Sequence, residues 1–131
     1  MKKVLLWIGG DLLNLGLAYY LNKQTNLEIH AIADVTTSLK FFLEDQKLVQ
    51  FDNLWFFQEY ASNNLQNPDL TYLKEIEKKY DLNLWGLINT ERYFDSKINT
   101  YHKFSKEEIL CILENECKFF EKILFDIKPE F

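Results

Sequence analysis

The chain has 131 residues, 47% hydrophobic and 16% aromatic, which supports a folded core and excludes an intrinsically disordered chain. Its formal net charge is −5, from 15 basic and 20 acidic residues, and its longest basic runs are Lys2-Lys3 and Lys78-Lys79. This excludes the partners that require dense positive charge, a nucleic-acid backbone and an anionic membrane surface.

Residues 4–8 (VLLWI) form a continuous apolar run between Lys2-Lys3 and Gly9-Gly10. Such a run predicts a strand buried on both faces of a parallel sheet. It is too short for a signal peptide or a membrane span, so the expected location is the cytoplasm, with no transmembrane segment. Asp11 reads as a helix N-cap, with Leu12, Leu13, Leu15, Leu17, Tyr20 and Leu21 populating the helix. Gly16 costs that helix about 1 kcal/mol relative to Ala, so close packing against the sheet is its expected reason.

Residues 27–35 (LEIHAIADV) predict a second strand, with Leu27, Ile29, Ala31 and Ala33 on one face. Thr36 or Thr37 opens a short helix over 38–45. A third strand follows at 48–51 or 54–57, divided by Asp52-Asn53. The β-α-β-α-β order implies a parallel sheet with right-handed crossovers. After Tyr60 the texture turns polar, and Asn67-Pro68 reads as a helix start with proline in the first helical position. Leu70, Leu73, Ile76 and Tyr80 keep helical spacing, and residues 82–94 read as helical.

The last helix is the best marked. Ser105 and Glu108 form a capping-box pattern, and Glu107 and Glu108 suit the positive end of the helix dipole. Ile109, Leu113, Cys117, Phe120, Leu124 and Ile127 predict one apolar stripe, Glu114 and Lys118 an ion pair, and Lys128-Pro129 the stop. Cys111 and Cys117 lie roughly 9 Å apart along this helix, beyond disulfide reach. The ending Lys-Pro-Glu-Phe reads as entry into another strand. The expectation is one Rossmann-like α/β domain over residues 1–131, three-layered, with a short parallel sheet of about three strands and a helical C-terminal half. It is expected to be the N-terminal fragment of a longer two-domain protein. The first strand should then lie at a sheet edge, an edge that also offers dimer contacts.

Gly9-Gly10-Asp11 is the first candidate site. Small residues at the carboxyl end of a parallel strand let a ligand approach a helix N-terminus. Yet GGDLLNLG is neither G-x-G-x-x-G nor a P-loop, and Asp11 repels phosphate unless its carboxylate turns into the cap. Two readings stay open: a strand-to-helix turn, or one wall of a larger site. Asp34 ends the second strand where a dinucleotide fold holds its ribose-binding acid, but without the glycine fingerprint no NAD or FAD is expected. Neither His30 nor His102 has ligand partners at metal spacing, so no metal or other cofactor is expected. Thr90-Glu91-Arg92-Tyr93-Phe94 is the second concentration. Arg92 suits a phosphate or carboxylate, and Tyr93 or Tyr101 a sugar face; a surface ion pair with aromatic anchors is the alternative.

Residues 88–94 (INTERYF), a tyrosine-bearing linker and residues 104–131 (FSKEEILCILENECKFFEKILFDIKPEF) together resemble the N-terminal half of bacterial capsule or surface polysaccharide biosynthesis proteins. Those are similar to glycosyltransferases of the GT-B arrangement, with two Rossmann-like domains. The resemblance implies an acceptor-binding N-terminal domain in surface polysaccharide biosynthesis, inactive alone. Its partners in the full-length protein would be a nucleotide-sugar donor and a glycan acceptor. Gly9, Gly10 and Asp11 would face the interdomain cleft, with Asp11 as general base for the acceptor hydroxyl or only as a cap. Glu91 and Arg92 would line the acceptor side. No metal is implied, because helix dipoles and basic residues can neutralise a leaving diphosphate. The competing class is a non-catalytic flavodoxin-like or receiver-like interaction domain. Its receiver form needs acidic residues after the first strand and an aspartate ending the third; here the first strand ends in Gly9-Gly10 and Asp52 does not clearly end one.

Overall fold

The computed structural model describes residues 1–24, 26–61, 66–90 and 102–131. Strands β1 (Lys2–Ile8), β2 (Leu27–Ala33) and β3 (Asn53–Phe56) alternate with helices α1 (Leu13–Leu21) and α2 (Thr37–Asp45). A short α3 (Gln58–Ala61), then α4 (Leu70–Tyr80), α5 (Leu84–Thr90) and α6 (Lys106–Ile127) complete the described elements. The chain is therefore α/β, its helices concentrated in the C-terminal half. It divides into two compact units, Met1–Tyr60 with Lys122–Phe131, and Ala61–Glu121.

In the first unit the sheet is parallel throughout, in the order β1-β2-β3. The register sets Val4, Leu6 and Ile8 beside Ile29, Ala31 and Ala33, and the last two beside Leu54 and Phe56. Ile29, Ala31 and Ala33 share a buried cluster with Leu15 and Ala18 of α1 and Leu43 of α2, with Leu27 partly buried against it. The alternation read along β2 therefore holds. The third strand follows the later of its two expected positions. Asp52 ties in just ahead of it: its amide donates to Ile29 O (2.8 Å) and its Oδ2 accepts from Ile29 N (2.7 Å).

β1 lies at an edge of this sheet, as expected. The tail after α6 runs along that edge. Glu130 N donates to Lys3 O (3.0 Å) and Leu5 N to Phe131 O (2.9 Å), so the two segments advance in the same direction. Lys2 Nζ sits 5.7 Å from the Phe131 ring centre.

Three local expectations need correction. The N-cap of α1 is Leu12, in a left-handed conformation (φ 55°), not Asp11. Gly16 is not packed on the sheet: it is exposed, and a Cβ there would meet nothing within 4 Å. Leu15 and Ala18 face the core instead, and that rotation turns Gly16 outward. Pro68 precedes α4, whose N-cap is Asp69, with Oδ1 accepting from Tyr72 N at 3.0 Å. The side chain of Asp69 satisfies a first-turn amide, which proline's ring cannot do.

In the second unit, Leu73, Leu84, Ile88 and Leu113 form a core, with Ile109, Leu110 and Cys117 partly buried against it. The capping box forms in both directions: Glu108 N donates to Ser105 Oγ (3.1 Å) and Ser105 N to Glu108 Oε2 (2.7 Å). The Glu114–Lys118 pair is present at 2.5 Å. α6 does not bury a single stripe. Leu124 is 45% exposed, whereas Cys111, Ile112, Phe119 and Ile123 are buried beside Leu113 and Ile127. The helix contributes to both units, so its apolar surface spreads beyond one seam. Glu121 is the polar centre of the second unit, accepting from Tyr72 Oη (2.8 Å), Lys79 Nζ (2.7 Å) and Tyr80 Oη (2.9 Å).

Candidate functional site

The carboxyl ends of three parallel strands gather one set of side chains. β1 delivers Trp7, 40% exposed, then Gly9, Gly10 and Asp11. β2 delivers Asp34, whose amide donates to Ile8 O at 2.9 Å. β3 delivers Phe57, whose amide donates to Ala33 O at 2.9 Å, and then Gln58. The Trp7 and Phe57 rings meet edge to face, centroids 5.4 Å apart. Gln58 Nε2 donates to Asp34 Oδ1 at 3.4 Å, and Asn14 Nδ2 to Trp7 O at 2.6 Å.

Of the two open readings of the glycine pair, the strand-to-helix turn is present. Gly9 O accepts from Leu12 N (3.0 Å), so a turn is there. The positive φ that a glycine would suit falls on Leu12 instead; neither Gly9 nor Gly10 has one. Packing does not demand glycine either: a Cβ at Gly10 would meet nothing within 4 Å, and one at Gly9 only Asp11 Oδ1 at 3.8 Å. What the pair leaves is open space at the strand end, in front of α1. Left-handed leucine costs the chain conformational energy at this one turn.

Asp11 is held there. Its Oδ1 accepts from Leu13 N at 3.1 Å, which fixes the carboxylate and leaves Oδ2 for another partner. The face is rich in carboxylates, amides and aromatic rings. The cation beside it, Lys40, is bonded to Glu59, which holds its ammonium above the ordinary pKa, and it sits 4.9 Å from the Phe56 ring centre. The composition suits hydroxyl-bearing ligands better than phosphates.

Gly9, Gly10 and Asp11 are thus brought together with Asp34. Glu91 and Arg92, with Tyr93 and Tyr101, lie outside the described residues. Trp7, Asn14, Phe57 and Gln58 were not singled out as a group by sequence reasoning. Their only signal is that Trp7 and Phe57 each fall at or next to the end of an apolar strand, fifty residues apart. Phe57 is half-buried at this rim.

The other candidates resolve as structure. His30 is buried, with Nδ1 3.1 Å from Asn53 Nδ2 and Nε2 3.6 Å from Glu28 Oε2. Asparagine can only donate from Nδ2, so His30 Nδ1 accepts that bond. Asp52 stands ahead of β3, at the opposite end of the strand from where a receiver's acceptor belongs. Burial pushes the Cys117 thiol up to about 11 and raises that of Cys111, so neither is poised as a nucleophile. Among the described residues no group of three or more potential metal ligands occurs, and no helix is long and apolar enough to cross a membrane.

No protein family, curated protein or solved structure matches the chain.

Proposed function

We propose that the first unit is the acceptor-side domain of a nucleotide-sugar-dependent glycosyltransferase of surface polysaccharide biosynthesis, and that the end of its sheet binds the glycan acceptor. The observation that carries this reading is the glycine pair. Neither glycine is required by φ or by packing, yet both stand at the carboxyl end of a parallel strand, where ligands of open α/β sheets bind. The tail hydrogen-bonded along the outer edge of β1, in the same direction, supports a doubly wound, Rossmann-like layering, in which that edge becomes the point where strand order reverses.

On this reading the acceptor sugar stacks on Trp7 and Phe57, while Gln58, Asn14 and Asp34 accept or donate to its hydroxyls. Asp11 Oδ2 takes the proton from the attacking hydroxyl as its oxygen bonds to the donor's anomeric carbon and the nucleoside diphosphate leaves. The donor binds elsewhere in the full enzyme, so this chain alone has no transferase activity.

The test is titration of the chain with neutral and acidic oligosaccharides, and separately with a uridine diphosphate, followed through the Trp7 indole N–H resonance. At least one oligosaccharide should move that resonance at millimolar concentration, and Gly10→Leu should abolish the response without altering the fold. A response to the diphosphate alone, or to nothing, would refute the reading.

A further inference from the structure

The outer face of α1 is apolar although it faces solvent. Leu13, Leu17 and Tyr20 are 75%, 47% and 69% exposed, and their spacing places them on one stripe with Gly16 between them. The inner face is apolar too, through Leu15 and Ala18. A helix apolar all round is normally covered on all sides. Beside the stripe lies a groove of about 300 Å³ lined by Leu12, Leu15, Gly16, Tyr19, Tyr20 and Leu48. Gly16 keeps its floor open, since nothing lies within 4 Å of where its Cβ would be.

We propose that this face is a homodimer interface in which two copies of α1 pack antiparallel across a two-fold axis, crossing near Gly16. Three features favour a second copy as the occupant. Residues 12–22 carry no charge, in a chain where 27% of residues are charged. That neutral run is bounded by Asp11 at one end and Lys23 at the other. Antiparallel pairing brings each Lys23 towards Asp11 of the other copy and opposes the helix dipoles, both favourable. The surface is also of the right size. Taking about 150–250 Å² for a whole aromatic side chain, the exposed parts of Leu13, Leu17, Tyr19, Tyr20 and Leu48 present on the order of 500 Å² per copy. Two copies then bury roughly 1,000 Å² before any polar rim is added, the threshold for a specific interface. The β1 edge is the less suitable surface, because Lys3 O and Leu5 N already bond to the tail.

The crossing sets the pairing: Leu13 of one copy lies opposite Tyr20 of the other, and the ridge of each helix enters the groove of its partner. Sedimentation equilibrium of the chain should show a reversible monomer–dimer equilibrium in the micromolar range. Leu13→Glu and Tyr20→Lys should each weaken it by about 100-fold or more, with unchanged circular dichroism. Mixing the two variants should restore a heterodimer, because one side of the pair then joins Glu to Lys and the other side keeps Leu against Tyr. A wild-type chain that stays monomeric, variants that dimerise like the wild type, or a mixture that fails to recover would each overturn the proposal.

Discussion

Asp52→Ala removes the carboxylate that joins β3 to β2 ahead of the ladder. Asp52 Oδ2 lies 2.7 Å from Ile29 N, and Ile29 is 1% exposed, so truncation leaves a buried backbone donor without its acceptor. A hydrogen bond to a charged group contributes about 1.5–3 kcal/mol. The Asp52 side chain is itself exposed, and water reaching the gap offsets part of the loss, so the expected cost is about 1.5–2 kcal/mol. Asp52→Asn keeps a neutral acceptor at the same reach and should cost about half as much. Urea unfolding followed by Trp fluorescence measures both values, since Trp55 lies on β3. Amide exchange at Ile29 supplies the local readout. Its protection should fall by about 10–30-fold in the alanine variant, at tenfold per 1.4 kcal/mol. An alanine variant that loses less than about 0.5 kcal/mol, or an asparagine variant that loses as much as alanine, would refute the argument that this bond secures the third strand.

Ser105→Ala should destabilise the second unit by about 1 kcal/mol, because one arm of a two-way capping box is lost; thermal melts against wild type measure it. Glu121 is held below its ordinary pKa first by the hydrogen bond from Lys79, then by that from Tyr72. Its stabilising contribution is therefore complete above the carboxylate's unfolded pKa and is lost as pH falls through the lower, folded one. Glu121→Gln should flatten the acid limb of stability against pH, and an unchanged limb would show that other carboxylates set it. Cys117, pushed up to about 11 against an ordinary 9.0, carries about 100-fold less thiolate at pH 8 than a free thiol. Alkylation of the native chain should be slow at both cysteines and become fast in urea.

Features set by neighbouring residues were legible in the sequence. The unbroken apolar run before Gly9 marks β1, but its expected burial on both faces is not found: Val4 and Ile8 are buried on one face, while Trp7 on the other is exposed. The alternation along β2 marks which side chains share a core, and the capping box of α6 is complete within four residues. Gly16 was misread because its environment depends on how α1 is rotated. That rotation is fixed by Leu15 and Ala18 packing on the sheet, not by anything in the helix alone. The turn before α1 was half legible: Asp11 does accept from the helix start, but the left-handed residue is Leu12. Propensity places glycine, not leucine, at such a position, and only the completed turn shows the exchange.

The candidate site follows the same division. Gly9, Gly10 and Asp11 are contiguous, so their concentration is visible in the primary structure. Trp7 and Phe57 are fifty residues apart and meet only because parallel pairing in the order β1-β2-β3 aligns the ends of the outer strands. Local order along this chain comes from short-range periodicity and backbone hydrogen bonding, which a sequence records directly. The aromatic rim, the open space before α1 and the tail along β1 arise from strand register and helix rotation. Those are settled by contacts between residues distant in the chain, when the apolar faces find one another.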